Sequence, residues 1–179
     1  MRTRQAGFTI AEVMTAMFIL TVGLVSVLAL FSSAITTMQA SQQDMICRQK
    51  AKEALESIYT ARESAQIGFA NINNTTTSGG VFLPGFQNLT VAGPDGLVGT
   101  ADDGPIETMV LPGPDGQLGT ADDQFITLTN YTRQISITPL YSGGVANPDI
   151  VQLAVTICYK NPKGEKRTYE VDSLISRYR

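Results

Sequence analysis

The chain has 179 residues, a net charge of −3 and no histidine. That length has room for one domain plus a segment outside its core. Without histidine it lacks the commonest general base and transition-metal ligand. It also has no basic cluster suited to nucleic-acid phosphates and no nucleotide-binding or nucleophile-elbow motif, so neither nucleic-acid binding nor an enzyme is expected.

Residues 1–7 are short and polar, with Arg2 and Arg4 ahead of an apolar run from Phe8 to Phe31. Positive charge before such a run keeps the N-terminus cytoplasmic. As a helix the run would measure about 36 Å, enough to cross a hydrocarbon core of about 30 Å. Its only ionisable residue is Glu12, and a carboxylate placed there costs about 3 kcal/mol on insertion scales. A secretory signal peptide cut near Ser32–Ala34 accounts for neither the length nor the acid. A plain anchor accounts for the length alone; a partner for the charge accounts for both.

Helical periodicity continues past Phe31, and no proline occurs before Pro84. Ile35, Met38, Met45, Ala51, Leu55, Ile58 and Tyr59 recur mostly at intervals of three, four or seven, between glutamines, lysines and glutamates. This predicts one helix from about Phe8 to about Ser64. Residues 8–31 form its membrane-spanning half and 32–66 its amphipathic half, with Gly23 as the softest point.

The string Gly7-Phe8-Thr9-Ile10-Ala11-Glu12-Val13-Met14 resembles the leader junction of type IV prepilins and type II secretion pseudopilins. Gly7, Phe8, Thr9 and Glu12 match that pattern, and Ala11 departs from it where a large aliphatic residue is more usual. The helix that follows is similar to the minor pilin V and pseudopilin I groups. The likeness covers about the first third of the chain. It implies cleavage after Gly7 and methylation of Phe8 by a prepilin peptidase, with residues 1–7 lost as a leader. It also implies an inner-membrane protein with its globular domain in the periplasm, drawn into a pilus or pseudopilus among other pilin or pseudopilin subunits. The physics of Glu12 agrees. Cleavage leaves an amine on Phe8, and the Glu12 carboxylate of one helix can meet the Phe8 amine of an axially offset neighbour.

Residues 67–124 are predicted as polar loops, and between Arg62 and Arg133 there is no lysine or arginine. Here "GPDGLVGTADD", residues 93–103, recurs as "GPDGQLGTADD", residues 113–123. Each copy reads as a compact turn-rich loop. Three carboxylates brought together without a cation suit Ca²⁺, which takes six to eight oxygens. The candidate sites are Asp95, Asp102 and Asp103 in one copy, and Asp115, Asp122 and Asp123 in the other. Solvated acidic turns using the same residues as caps are the alternative.

Residues 125–179 carry three β-rich runs: 125–140, 149–160 and 166–177. The string Asn161-Pro162-Lys163-Gly164 should turn the last two into an antiparallel hairpin. Packed on the amphipathic half of the helix, they give a pilin-like α+β fold. Cys47 on the helix and Cys158 in a covering strand either bridge helix to sheet or remain two buried thiols. The expected function is a minor pilin or pseudopilin. The alternative is a membrane-anchored periplasmic calcium-binding or adhesive module that never enters a filament.

Overall fold

The computed structural model describes residues 7–161 and 164–178, with the backbone alone described at Ser142. Most of the leader, including Arg2 and Arg4, and Pro162 and Lys163 of the predicted turn therefore lie outside the described residues. The chain divides into two compact units, Met1–Gln42 and Gln43–Arg179.

One helix, α1, runs Ile10–Glu63 and passes through Gly23 without a break. In the first unit its apolar side chains are exposed, Ile10, Phe18, Leu20 and Leu30 among them. Residues 43–63 of α1 belong to the second unit. There Cys47, Ala51, Ala54, Ile58 and Ala61 are buried at alternating intervals of four and three, with Ile46 beside them.

This corrects the expected stripe: Ile35, Met38 and Met45 are exposed, while Leu55 and Tyr59 are half-buried. The physical reason is size. Three alanines and a cysteine carry little hydrophobic weight in a pattern, yet small side chains are what let a sheet approach a helix closely. Ile58, wholly enclosed, supplies about 2–3 kcal/mol of burial on its own.

The sheet has strand order β1-β4-β5-β6, with β1 Gln87–Asn88, β4 Tyr131–Ser142, β5 Val145–Lys160 and β6 Lys166–Ser176. All its pairings are antiparallel. A separate ribbon pairs β2, Thr108–Leu111, with β3, Gln124–Thr127. Residues 125–140 thus resolve into two strands, and Leu128 between them is buried.

Alternation sets the buried face. Tyr131, Arg133, Ile135 and Ile137 of β4 stand opposite Tyr159, Ile157, Val155 and Leu153 of β5. β4 and β5 turn through Gly143 and Gly144, both at positive φ (60° and 82°), a hairpin geometry that glycine adopts without strain. β5 begins ahead of the expected run at 149 and takes in Asn147 and Pro148. There the ladder shifts register between Pro139 and Tyr141.

The helix meets this face through polar contacts as well. Tyr59 Oη donates to the Leu174 carbonyl at 3.1 Å, the Tyr159 hydroxyl bonds the Asp44 carboxylate, and the Arg48 guanidinium lies 5.2 Å from the Tyr169 ring centre. Residues 67–124 are more structured than a run of polar loops. Ile72, Phe82 and Leu89 are wholly buried, and a short 3₁₀ turn spans Phe69–Asn71.

Candidate functional site

The N-terminal site starts at Gly7 and Phe8, both exposed, the latter at 88 %. Thr9 precedes the first helical residue. Its hydroxyl accepts from the Glu12 amide at 3.3 Å, and the Thr9 amide donates to Glu12 Oε2 at 2.9 Å. The Thr9 hydroxyl donates to the same carboxylate oxygen at 2.9 Å. Ser/Thr-x-x-Glu at a helix start is a capping box, in which each side chain satisfies an orphan amide of the other's backbone. The sequence carries this signature in the spacing of Thr9 and Glu12.

The other polar groups of this segment are also closed on themselves. Thr15 donates to the Ala11 carbonyl at 2.9 Å, Thr21 to that of Phe18 at 3.1 Å, and Ser26 to that of Val22 at 2.8 Å. Such back-bonding keeps hydroxyls tolerable in hydrocarbon. α1 is long and apolar enough in its N-terminal part to cross a membrane. The contrast is with Glu12. Its hydrogen bonds come from neutral donors, and among the described residues no cation ion-pairs with it. The carboxylate is thus held in place by the cap alone.

Residues 2–35 match the family model described as the prokaryotic N-terminal methylation motif. The chain carries that motif. It is typical of type IV pilins and pseudopilins, and it supports a subunit of that type, processed by a prepilin peptidase and assembled with other pilin subunits. The chain matches no curated protein and no solved structure. With an exposed apolar helix, the motif is consistent with membrane anchoring.

The two acidic loops share one internal design. Asp95 Oδ1 accepts from the Leu97 amide at 2.8 Å, and Asp115 Oδ1 from the Gln117 amide at 2.9 Å. The Thr100 hydroxyl donates to Asp102 at 2.8 Å and the Thr120 hydroxyl to Asp122 at 2.7 Å. The Thr120 bond holds Asp122 below the usual carboxylate range. The Gly99 amide donates to Asp103 Oδ2 at 2.8 Å and the Gly119 amide to Asp123 Oδ2 at 2.6 Å. Each aspartate therefore braces a turn. The all-oxygen donor set suits Ca²⁺ in kind, yet among the described residues no three carboxylates converge as a ready group of ligands.

Their surroundings differ. In the first loop Leu97, Val98 and Thr100 are buried, and a Cβ on Gly99 would meet Ile135 Cδ1 of β4 at 2.9 Å. Asp103 faces Arg133 of β4, itself only 2 % exposed, at 3.9 Å. Nearby Lys50 of α1 pairs with the buried Glu107, and with Glu53 at 2.8 Å. Burial pulls the Lys50 ammonium down, but its two carboxylate partners outweigh that and raise it. Arg133 is lowered by desolvation, partly offset by Glu107 and Asp103. In the second loop Asp115, Gln117 and Leu118 are exposed, Leu118 at 65 %. Sequence reasoning missed Arg133, whose only signal was a basic residue between apolar neighbours of a strand.

Cys47 and Cys158 are buried free thiols on the facing helix and strand. Burial first, then the nearby Asp44 and Cys158, pushes the Cys47 thiol up to about 12.

Proposed function

We propose that the chain is a minor pilin or pseudopilin, a non-catalytic structural subunit of a type IV pilus or type II secretion filament. Prepilin peptidase cuts after Gly7 and methylates Phe8. The precursor sits in the inner membrane as a single span, N-terminus cytoplasmic and C-terminal unit periplasmic, until it is drawn into the filament. The observation that carries this reading is Glu12 itself. It is a carboxylate held by a cap, with no ion-pair partner among the described residues, in an otherwise self-satisfied apolar helix, inside a methylation motif.

The mechanism follows from two awkward charges. A carboxylate and a newly made amine are each costly in lipid, and each is the other's remedy when a neighbouring helix is offset by the right rise. In low dielectric their attraction is large, and a wrong register leaves both stranded. The pair therefore selects register as well as adding stability. The cap from Thr9 engages Glu12 Oε2, which fixes the side chain and leaves Oε1 to face a partner.

Mass spectrometry of the mature protein tests the reading: a chain beginning at N-methylated Phe8 is the expected result. A chain beginning at Met1, or after Ala34, overturns it. Calcium in the acidic loops is an accessory proposal resting on composition. A Ca²⁺ titration of the full chain in detergent, with neither heat nor a rise in Tm, removes it.

A further inference from the structure

At one end of the sheet lies a groove of about 380 Å³, with Phe86, Cys158 and Tyr159 for its apolar walls, Thr129 and Asn130 on one side and Lys160 and Lys166 at its rim. Cys158 and Tyr159 are buried floor, while Phe86 is 44 % exposed. Lys166 Nζ rests 5.4 Å from the Phe86 ring centre, and among the described residues neither lysine ion-pairs with a carboxylate. An apolar trough with a cationic rim fits an apolar side chain flanked by acids.

The chain makes such a group. The second acidic loop is the tip of the β2–β3 ribbon, where the exposed Leu118 stands among Asp115, Asp122 and Asp123. Its near-identical copy shows how this loop is used when covered. There Leu97 and Val98 are buried against the sheet, and Asp103 faces the arginine of β4. The first loop is thus seated on an apolar surface with one cation, and the second has the same build without a seat.

Its own groove is out of reach. β3, Gln124–Thr127, separates the tip from Thr129 and Asn130 at the groove, and four residues of strand span about 13 Å. The tip and the groove thus belong to opposite ends of the ribbon, so the contact joins two molecules. A contact between two different surfaces is head-to-tail and, when it does not close into a ring, propagates as a filament.

We propose that the acidic tip around Leu118 of one copy docks in the lysine-rimmed groove of a second copy, an inter-subunit contact outside the membrane helices. It rests on the filament-subunit reading and names a neighbour for it.

The test uses the full chain in membranes of producing cells, treated with chelator so that no divalent cation masks the loop. A benzophenone amino acid replaces Leu118, and isotope-heavy copies are mixed in to mark links between molecules. The expected light-induced links run from position 118 to peptides of another copy that carry Thr129–Thr132 or Tyr159–Lys160. The pair Asp122→Lys and Asp123→Lys should cut the yield about tenfold, since like charges then meet. Mixing that chain with one carrying Lys160→Asp and Lys166→Asp should restore links between the two variants only. This trans rescue also excludes misfolding as the cause of the loss. Links to another part of the chain or to a different protein, or a yield indifferent to the reversals, overturn the docking. Processing is scored separately through methylated Phe8, and incorporation through the chain's presence in sheared filaments. A methylated, incorporated chain without the link sinks the docking alone; a link without methylation sinks the filament reading.

Discussion

Thr9 and Glu12 close a reciprocal cap over the first turn of α1, each side chain bonding the other's backbone amide at 3.3 and 2.9 Å. This joins a local rule of helix starts to the charge on which the proposed assembly rests. The carboxylate is oriented before any partner arrives, which lowers the entropy lost when one does. Thr9→Ala should therefore weaken the cap by about 1 kcal/mol, read as faster amide exchange at Ala11 and Glu12 in detergent. Thr9→Ser should restore protection. Equal exchange in Thr9→Ala and the parent would mean that the cap does not form in the micelle.

Glu12→Leu separates insertion from assembly. Removing the carboxylate makes the segment easier to place in lipid, by about 3 kcal/mol, so membrane fractionation should show the variant fully inserted. Filament preparations should hold at least about tenfold less of it than of the parent, because the neighbour's amine is then unpaired. Glu12→Gln should sit near Glu12→Leu, since it keeps the cap but not the charge. If Glu12→Gln assembles normally, the cap rather than the ion pair is what assembly needs.

The duplicated loops allow an internal control that the sequence makes unusually clean. Asp103 and Asp123 hold equivalent positions, accepting from the Gly99 and Gly119 amides. Asp103 also faces a buried arginine, whereas among the described residues no cation ion-pairs with Asp123. Asp103→Ala strips Arg133 of a carboxylate inside the fold and should cost about 3 kcal/mol. Asp123→Ala, at a half-buried position with no arginine to strand, should cost about 1 kcal/mol. Urea unfolding of the two variants measures the difference, and equal losses would show that Arg133 does not depend on Asp103.

These two loops also mark where sequence reading stops. The near-identical strings could be recognised as compact turns, because glycine, proline and aspartate chemistry is local. That one copy is buried and the other exposed could not be read, since it depends on what β4 brings alongside. The helix and three β-rich runs were legible through periodicity, as was the hairpin of β5 and β6 through its turn. The buried stripe was misplaced because Ala51, Ala54 and Ala61 hold close contact by being small, which a hydrophobic pattern underweights. At the N-terminus, Gly7, Phe8 and Glu12 stand out by charge and motif, and they lie within the matched methylation motif of residues 2–35. The ribbon of β2 and β3 was not, because residues 108–111 form only half of a pairing whose other half lies past the second loop.

Cys47 and Cys158 sit on facing elements as free thiols. Protein unfolded without reductant should then react with two equivalents of a thiol reagent, and the folded protein with almost none, because both sulfurs are enclosed. A disulfide between them would instead leave nothing to react until reductant is added, and would slow migration on reduction.

Alkali should destabilise the second unit earlier than its surface charges alone would predict. Cys47 ordinarily ionises near 9.0, and its burial, with Asp44 and Cys158 behind it, pushes it up to about 12. Burial likewise lifts Tyr131 from 10.0 to about 12. Both groups thus hold protons when folded that the unfolded chain releases between those limits. The unfolded state binds fewer protons there, so stability falls as pH rises. The contribution of Cys47 is whole below pH 9.0 and is lost as pH climbs towards about 12. By about pH 10.5 the thiol alone should account for about 2 kcal/mol of that loss. Urea midpoints from pH 8 to about pH 10.5 measure it, and Cys47→Ala should lower the midpoint at pH 8 yet flatten its decline. A decline of unchanged slope in Cys47→Ala would place the alkaline sensitivity elsewhere, with Tyr131→Phe the next variant to separate.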